Sequence, residues 1–290
     1  MSSLATSTIA IAGLGLMGGS LGLALRGHVH RVIGVARRTT TLEQALALGA
    51  IDLGVNDLRG AAAADIIVLA TPVSVILAQI NELGRLAAQG ELRPNVIVTD
   101  MGSTKQQICA ALDALPAIVQ PIGGHPMCGK ETSGLDVAEA ALYHSAPYVL
   151  CPLSRTTPAT VARLTELAQA IGAAPLVLDA SRHDRLTAAI SHVPYLAALA
   201  TFAAAADVAQ EDPLAWQLAA SGFRSTTRLA GSDDQMMSDI LLSNRDAVLT
   251  QVQRLQAQLT RLADTITRDD ETALRSLAAA ARSQRAEFVR

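Results

Sequence analysis

The stretch TIAIAGLGLMG, Thr8–Gly18, decides the fold. Its first five residues form the pattern of a short buried strand, and a G-x-G-x-x-G spacing follows before a helical run. The first glycine of such a turn permits a tight bend, the second lets a pyrophosphate approach the backbone, and the third allows the helix to pack on the strand. The helix N-terminus then attracts the phosphates. The predicted cofactor contacts in this turn are Gly13, Gly15, Leu16, Met17 and Gly18.

The second predicted strand, VIGVA at 32–36, ends without an acidic residue and is followed by Arg37 and Arg38. A carboxylate at this place would hold the ribose hydroxyls of NAD. An arginine instead binds a 2′-phosphate in a bidentate manner. The missing acid and the arginine pair therefore predict NADP as the cofactor, with NAD as the alternative.

Strand and helix patterns alternate over the first 180 residues and then give way to helices alone. This order predicts an α/β fold: an N-terminal Rossmann-type domain with a doubly wound parallel sheet at 1–180, and an all-helical dimerisation domain at 181–290. The predicted strands are 8–12, 32–36, 65–70, 96–99, 147–151 and 175–178. The predicted helices are 19–25, 42–48, 74–89, 158–171, 186–206, 213–221, 236–267 and 271–285.

Composition excludes several classes of protein. The chain has 290 residues, of which 50% are hydrophobic and 17% charged, so it is too apolar for disorder. A net charge of −3 and an aromatic content of 2% argue against nucleic-acid binding. Three cysteines without a CxxC pair predict neither a disulfide framework nor a metal site. The cysteine usage and the lack of a signal-peptide pattern at the N-terminus predict a cytoplasmic protein. The dinucleotide-type turn predicts a small-molecule substrate as its partner.

The segment at 186–206 contains no formally charged residue and is long enough to span a membrane. Alanine dominates it, and His192 and Pro194 interrupt its apolar character, so a buried helix is the preferred interpretation. A small helical domain with such a segment buries its apolar faces better against a second copy. We therefore expect a homodimer through this domain.

Two glycine-containing stretches are denser in polar residues than a fold requires. D-M-G-S-T-K at 100–105 follows a strand, and G-G-H-P-M at 123–127 leads to Lys130. The chain has only two lysines, Lys105 and Lys130, and each lies in one of these stretches. The glycine pair before His125 has no obvious packing purpose, and histidine is the natural base near neutral pH. His125 is thus the candidate catalytic base, with a loop histidine as the alternative.

Two further clusters lie in the helical part. His183 and His192 are nine residues apart, too far for a metal pair one helical turn apart, and helix-cap or core histidines are the alternative. Arg224 and Arg228 are four residues apart and would share a helix face, where they can bind a carboxylated substrate. Solvated surface arginines are the alternative for both.

The motifs together resemble those of the prephenate/arogenate dehydrogenase family, closest in character to its short NADP-using arogenate dehydrogenases. The resemblance covers nearly the whole chain. It implies an enzyme that oxidises a cyclohexadienol with loss of CO₂ and passes a hydride to the nicotinamide. The motifs are GLGLMGGS (13–20), ATPV (70–73), DMGSTK (100–105), GGHPMCGKETSG (123–134), HD (183–184), SHVP (191–194) and GFRSTTRLAGSD (222–233).

The resemblance also implies roles for individual residues. His125 corresponds to the catalytic histidine that binds the ring 4-hydroxyl, and Ser103 would orient it and the nicotinamide. Arg228 would pair with a substrate carboxylate, and His183 would be structural. The remaining implied contacts are His192, Lys130, Glu131, Arg224 and Tyr195 with the substrate, and Thr71 and Pro72 with the cofactor.

The chain departs from the family pattern at two places. Tyr195 replaces a second histidine found in many prephenate-type members, and Met237 replaces a tryptophan. Both would lie near the ring and side chain of the substrate, so the choice between prephenate and arogenate stays open.

The dinucleotide-binding pattern is also compatible with two other functions. A β-hydroxyacid dehydrogenase would carry a catalytic lysine in its helical domain, but the chain has no lysine beyond Lys130. A non-catalytic NADP-binding module would bind the cofactor without turnover.

Overall fold

The first half of the molecule is built on an eight-stranded sheet. The computed structural model describes residues 3–130 and 132–288. The strands are β1 (Thr8–Ala12), β2 (Arg31–Val35), β3 (Leu53–Val55), β4 (Ile66–Leu69), β5 (Ile97–Asp100), β6 (Gln120–Pro126), β7 (Pro147–Pro152) and β8 (Ala174–Val177). Their order is β3-β2-β1-β4-β5-β6-β7-β8. The first six are parallel; β7 runs antiparallel to β6, and β8 runs parallel to β7.

Five helices cover the two faces of this sheet. They are α1 (Leu16–Ala24), α2 (Thr39–Ala47), α3 (Val73–Ala88), α4 (Gln106–Asp113) and α5 (Pro158–Ala170). Because successive strand side chains point to opposite faces, Ile9 and Ile11 join one apolar cluster and Ala10 and Ala12 join the other. This two-sided burial confirms the predicted Rossmann-type fold.

Most predicted elements of this half agree with the structure to within three residues, but two strands and the helix α4 were missed. β3 is only three residues long. β6 reads QPIGGHP, whose prolines and glycines are depleted in strands. β6 was therefore not predicted, and His125, for which a loop histidine was the alternative to a catalytic base, lies in a strand.

The second half is helical, as predicted. Its helices are α6 (Ala180–Thr187), α7 (Val193–Glu211), α8 (Leu214–Leu218), α9 (Ser221–Thr227), α10 (Asp234–Ser243), α11 (Arg245–Thr267) and α12 (Glu271–Phe288). A π-helical turn at Ala188–His192 joins α6 to α7, next to Pro194, which lacks a backbone N–H. The predicted helix 236–267 is divided into α10 and α11 at Asn244, whose side chain makes no capping hydrogen bond there.

The expectation that 186–206 is a buried helix was wrong for the single chain. The continuous stretch Ala180–Glu211 is long and apolar enough to cross a membrane, and only 28% of its most apolar window is buried. Ile190 is 68% exposed, whereas Val193 and Ala198 are buried. The helix packs one narrow side against its own chain and leaves the rest open.

Candidate active site

The glycine turn after β1 has the shape that a dinucleotide phosphate requires. Gly13 has a φ of +100°, which favours glycine. A Cβ on Gly18 would lie 1.8 Å from the Gly13 carbonyl oxygen, so the helix can pack here only without a side chain. A Cβ on Gly15 would meet nothing within 4 Å. The turn is thus closed towards the sheet and open at Gly15, where the first N–H groups of α1 have no intrahelical acceptor.

The two residues that open α1 are held from the protein side. Leu16 is 9% exposed, and Met17 packs against the sheet core. The Tyr143 hydroxyl donates a hydrogen bond of 2.5 Å to the Met17 carbonyl oxygen. These contacts fix the start of the helix that would face a bound pyrophosphate.

The residues expected to read the ribose lie at the carboxyl end of β2. Arg37 and Arg38 are both exposed, and Arg38 is the residue before α2. The Asn56 amide donates to the Ala36 carbonyl oxygen at 3.4 Å, which holds the end of this strand. The two arginines therefore follow β2 at the same edge of the sheet as the glycine turn.

The turn after β4 contacts both the glycine turn and the helical half. Thr71 crowds Gly13, since a Cβ there would lie 2.6 Å from its methyl carbon. Pro72 precedes α3, and Ser74 in its first turn donates to the Asp239 carboxylate of α10 through its hydroxyl (2.6 Å) and its amide (3.2 Å). The hydroxyl bond lowers the pKa of Asp239. Asp239 was not predicted as a contact from sequence.

A buried ion pair ties the end of β5 to β6. Lys105 is fully buried, and its ammonium donates to the Asp100 carboxylate and, at 2.6 Å, to the Gly124 carbonyl oxygen. Asp100 also accepts from the amides of Gly102 (2.8 Å) and Gly124 (3.0 Å). A buried charge needs such full pairing. Lys105 thus connects the two polar stretches singled out from the sequence.

The glycine pair before His125 does serve packing, which corrects the sequence-based expectation. A Cβ on Gly124 would lie 2.5 Å from the Asp100 carbonyl oxygen, and one on Gly123 would lie 2.7 Å from the Cys109 sulfur. Both side-chain positions are filled by neighbouring atoms. The glycines let β6 approach the Asp100–Lys105 pair closely, and this places His125 just beyond it.

His125 joins the helical half through a hydrogen bond between two rings. Its Nδ1 lies 2.8 Å from Nε2 of His183, and Nδ1 of His183 lies 2.8 Å from an Asp184 carboxylate oxygen. His183 and Asp184 are 1% and 0% exposed, whereas His125 is partly exposed. His183, expected to be structural, is thus in direct contact with the candidate base, and Asp184, noted only as part of the HD motif, was not predicted as a site residue.

The Asp184 carboxylate is anchored to the sheet half. It accepts hydrogen bonds from the backbone amides of Lys105 (2.7 Å) and Gln106 (2.8 Å) at the start of α4. The Asn244 amide donates to the Asp184 carbonyl oxygen at 2.7 Å, and it lies 3.3 Å from Nδ1 of His192. A polar network therefore runs from the end of β6 through α6 to the break between α10 and α11.

Two of the predicted substrate contacts lie at the base of α7. His192 is 1% exposed, and burial lowers its pKa to about 4. Tyr195 packs with Met237 and Ile240 in a small apolar cluster. The two positions that depart from the family pattern, Tyr195 and Met237, are thus neighbours.

The other predicted substrate contacts are less closely associated with His125. Arg224 and Arg228 are exposed, in α9 and in the 3₁₀ turn after it. Lys130 pairs with Glu139 at 3.0 Å and donates to the Val137 carbonyl oxygen. Ser103 is partly buried in the turn after β5, and the described hydrogen bond of the His125 ring goes to His183. Glu131 lies outside the described residues.

Comparison with known proteins gives a consistent result. Residues 21–177 match the family model for the nucleotide-binding domain of prephenate dehydrogenase, and residues 179–279 match that for its dimerization domain. The prephenate dehydrogenase of Lactococcus lactis is 37% identical over 86% of the chain. The chain spans 68% of the length of that relative and 65% of the Bacillus subtilis prephenate dehydrogenase.

Two solved structures align over nearly the whole chain. Synechocystis arogenate dehydrogenase is 33% identical, with a TM-score of 0.84, over 97% of this chain and 99% of that one. Prephenate dehydrogenase from A. aeolicus, in complex with hydroxyphenyl propionate and NAD⁺, is 26% identical, with a TM-score of 0.91, over 99% of this chain and 100% of that one.

Proposed function

Because the chain belongs to the prephenate dehydrogenase family, we propose that it catalyses the oxidative decarboxylation of a cyclohexadienol, prephenate or arogenate, with a nicotinamide cofactor. The observation that carries this proposal is the place of His125. It lies at the carboxyl end of β6, on the same sheet edge as the glycine turn, and it is partly exposed between the two halves. Ligands of open α/β sheets bind at this edge.

His125 is the proposed base. Burial and the nearby Lys105 ammonium lower the pKa of His125 well below 6.5, so its imidazole is neutral at pH 7 and can take the proton of the ring 4-hydroxyl. A nicotinamide cofactor, with its pyrophosphate held by the glycine turn, would supply the acceptor for the hydride that leaves C4. Loss of the ring carboxylate as CO₂ leaves its bonding electrons in the ring, and the phenolate oxygen recovers the proton from His125.

The substrate contacts follow from the same arrangement. Arg228 is the proposed partner of a substrate carboxylate, since a guanidinium binds one in a bidentate manner. Ser103 follows β5 and would orient His125 and the nicotinamide. Neutral His192 and the cluster around Tyr195 would bound the ring side of the pocket. Arg224, Lys130 and Glu131 would contribute at its mouth.

The test of this function is a steady-state assay of purified protein with prephenate and with arogenate, each against NAD and NADP. We expect turnover with at least one substrate. A protein that binds cofactor but turns over neither compound would support the non-catalytic module instead.

We propose NADP as the preferred cofactor because Arg37 and Arg38 follow β2 where a carboxylate would hold an NAD ribose. Loss of a charge-assisted hydrogen bond costs about 1.5–3 kcal/mol. Arg37→Ala should therefore lower the NADP/NAD ratio of kcat/KM by about 10- to 100-fold. Arg31→Ala, at the opposite end of the same strand and equally exposed, is the matched control. An unchanged ratio in Arg37→Ala contradicts the 2′-phosphate role.

We also propose a cytoplasmic homodimer formed through the helical half. Apolar residues recur along α11 at spacings of three and four, but Val248 near its start is buried while Leu259 and Ile266 are 56% and 63% exposed. The open sides of α7 and α11 match what a second copy would cover. A monodisperse monomer in light scattering at micromolar concentration contradicts this proposal.

A further inference from the structure

The side chains of His125, His183 and Asp184 form a hydrogen-bonded series that connects the two halves of the molecule. The arrangement resembles a catalytic base with its supporting groups. Two hydrogen bonds of 2.8 Å connect the three side chains. The rings of the two histidines meet edge to face, with centroids 5.0 Å apart and planes inclined by 67°. The outermost member is partly exposed and the inner two are buried. The chain thus leads from the candidate substrate site into the protein.

Asp184 can serve this chain only as an acceptor. The Lys105 and Gln106 amides donate one to each of its two carboxylate oxygens. These amides begin α4, and the positive end of a helix dipole favours a negative charge. An ionised carboxylate has no proton to give. The hydrogen bond to His183 therefore requires a proton on Nδ1 of His183.

The proton on Nδ1 of His183 determines which nitrogen of His125 is protonated. A neutral His183 that carries its proton on Nδ1 has a lone pair on Nε2. Nδ1 of His125, which lies opposite, must then donate. A neutral His125 protonated on Nδ1 has its lone pair on Nε2.

We propose that His183 and Asp184 are positioning residues that hold His125 in the Nδ1–H tautomer, so that its Nε2 is free to take the substrate proton. The inference rests on the proposed function for what the proton is, but the tautomer itself depends only on the three side chains. When His125 becomes an imidazolium, its Nδ1–H still donates to His183, and the Asp184 charge lies behind it. The substrate proton stays on Nε2 until the phenolate oxygen takes it back.

The charged and titratable groups around His125 agree with this assignment. The Lys105 ammonium, paired with Asp100, and the neighbouring rings of His183 and His192 disfavour a positive charge on His125, and burial acts in the same direction. Asp184 is the described acidic group that acts on His125 through a hydrogen-bonded chain. The nearby Lys105 ammonium by itself only lowers the basicity of His125. The hydrogen bonds that lead through His183 to Asp184 offset this effect, because they stabilise the imidazolium form of His125 during the reaction.

The direct test measures the tautomer and needs no turnover. Long-range ¹H–¹⁵N spectra of histidine-labelled wild-type protein at pH 7.5 should show His125 protonated on Nδ1, with the assignment made through a His125→Asn variant. In Asp184→Asn, the side-chain amide can donate to Nδ1 of His183. The proton of His183 would then move to Nε2, and Nδ1 of His125 would have to accept from it. His125 should then become the Nε2–H tautomer. A wild-type His125 already protonated on Nε2 overturns the proposal, even in a fully active enzyme.

The kinetic test separates positioning from folding. We expect Asp184→Asn to lower kcat on the order of 10²- to 10⁴-fold, with KM and cofactor affinity within about threefold of wild type, because the wrong tautomer blocks proton transfer without removing a binding contact. His183→Leu should show a similar loss. His183→Gln, whose amide can accept from His125 and donate to Asp184, should recover at least tenfold over His183→Leu.

A matched control and a separate failure mode complete the experiment. Thr187 lies on α6 one turn beyond His183, is buried, and donates to the backbone carbonyl oxygens of His183 and Asp184. Thr187→Val should keep near-wild-type kcat. A loss in Thr187→Val equal to that in Asp184→Asn overturns the positioning role, since general damage to α6 then explains both. If wild type turns over neither substrate, the proposed function fails, but the NMR result still tests whether His183 and Asp184 hold His125 in the Nδ1–H tautomer.

Discussion

The two halves of the chain bury their apolar side chains in different ways. In the α/β half, two clusters fill both faces of the sheet, and neighbouring strand residues such as Ile9 and Ala10 are both fully buried. In the helical half, the apolar cluster among the described residues consists of Tyr195, Met237 and Ile240. Leu218 is 81% exposed there. Since apolar burial is the main source of folding free energy, the helical half depends on contacts with the other half, and the proposed second copy would cover more of its apolar surface.

The helical half contributes polar groups instead of a large core. Asp184 caps α4, Asp239 binds Ser74 at the start of α3, and Asn244 joins Asp184 to His192. All three act at or near the sheet edge where the proposed chemistry occurs. The difference teaches that one half supplies a rigid platform and the other completes the site on it.

We expect the largest effect from a substitution that removes the proposed base and leaves the packing of both halves unchanged. His125→Asn should lower kcat on the order of 10²- to 10⁴-fold, because general-base catalysis is lost, while cofactor affinity stays near wild type. Single-turnover rates and cofactor titrations measure the two quantities. Near-normal turnover would place the base elsewhere.

The pH dependence of the wild type belongs to the same prediction. Because burial and Lys105 lower the pKa of His125 below 6.5, the free enzyme keeps a neutral base down to that pH. The acid limb of kcat/KM should therefore fall below pH 6.5. An acid limb above that value that disappears in His125→Asn would contradict the lowered pKa.

The next prediction concerns dimer formation and compares one substitution in each half. Leu259 on α11 and Leu46 on α2 are 56% and 44% exposed in the single chain. If a second copy covers the helical half, Leu259→Asp buries a charge and should raise the dimer Kd on the order of 100-fold. Leu46→Asp is the matched control and should leave the Kd unchanged. Sedimentation at several concentrations measures both, and equal behaviour of the two variants would remove the reason for placing the interface on α11.

The parts of the fold that were predicted from sequence have local signals. The β1 strand and its glycine turn follow from eleven consecutive residues, Thr8–Gly18. A strand pattern and a glycine spacing each act within one turn or one strand. Such elements can be recognised without knowing what they pack against.

The parts that were missed depend on distant partners. Gly123 and Gly124 are needed because Cys109 and Asp100 occupy the space of their side chains, and no pattern within β6 reveals this. Asp184 binds an amide 78 residues away. The His-Asp pair at 183–184 was visible as a motif, but only the fold shows that it faces His125.

The smallest expected effect tests the contact between α10 and α3. Asp239 has its pKa lowered from 3.8 by the Ser74 hydroxyl, so its charged form stabilises the folded state above pH 4, and this contribution is lost as the pH falls towards the lowered value. A capping carboxylate that remains accessible to solvent contributes only about 0.3–1 kcal/mol. Asp239→Asn should lower the free energy of unfolding by that amount at pH 7 and by less at pH 3, as measured in urea. Asp234, in the same helix, accepts a hydrogen bond from the neighbouring Gln235 backbone amide. Because this contact lies within α10, Asp234→Asn should change the free energy less at pH 7. A difference between wild type and Asp239→Asn that does not shrink at pH 3 would mean that packing, not charge, holds α10 against the sheet half.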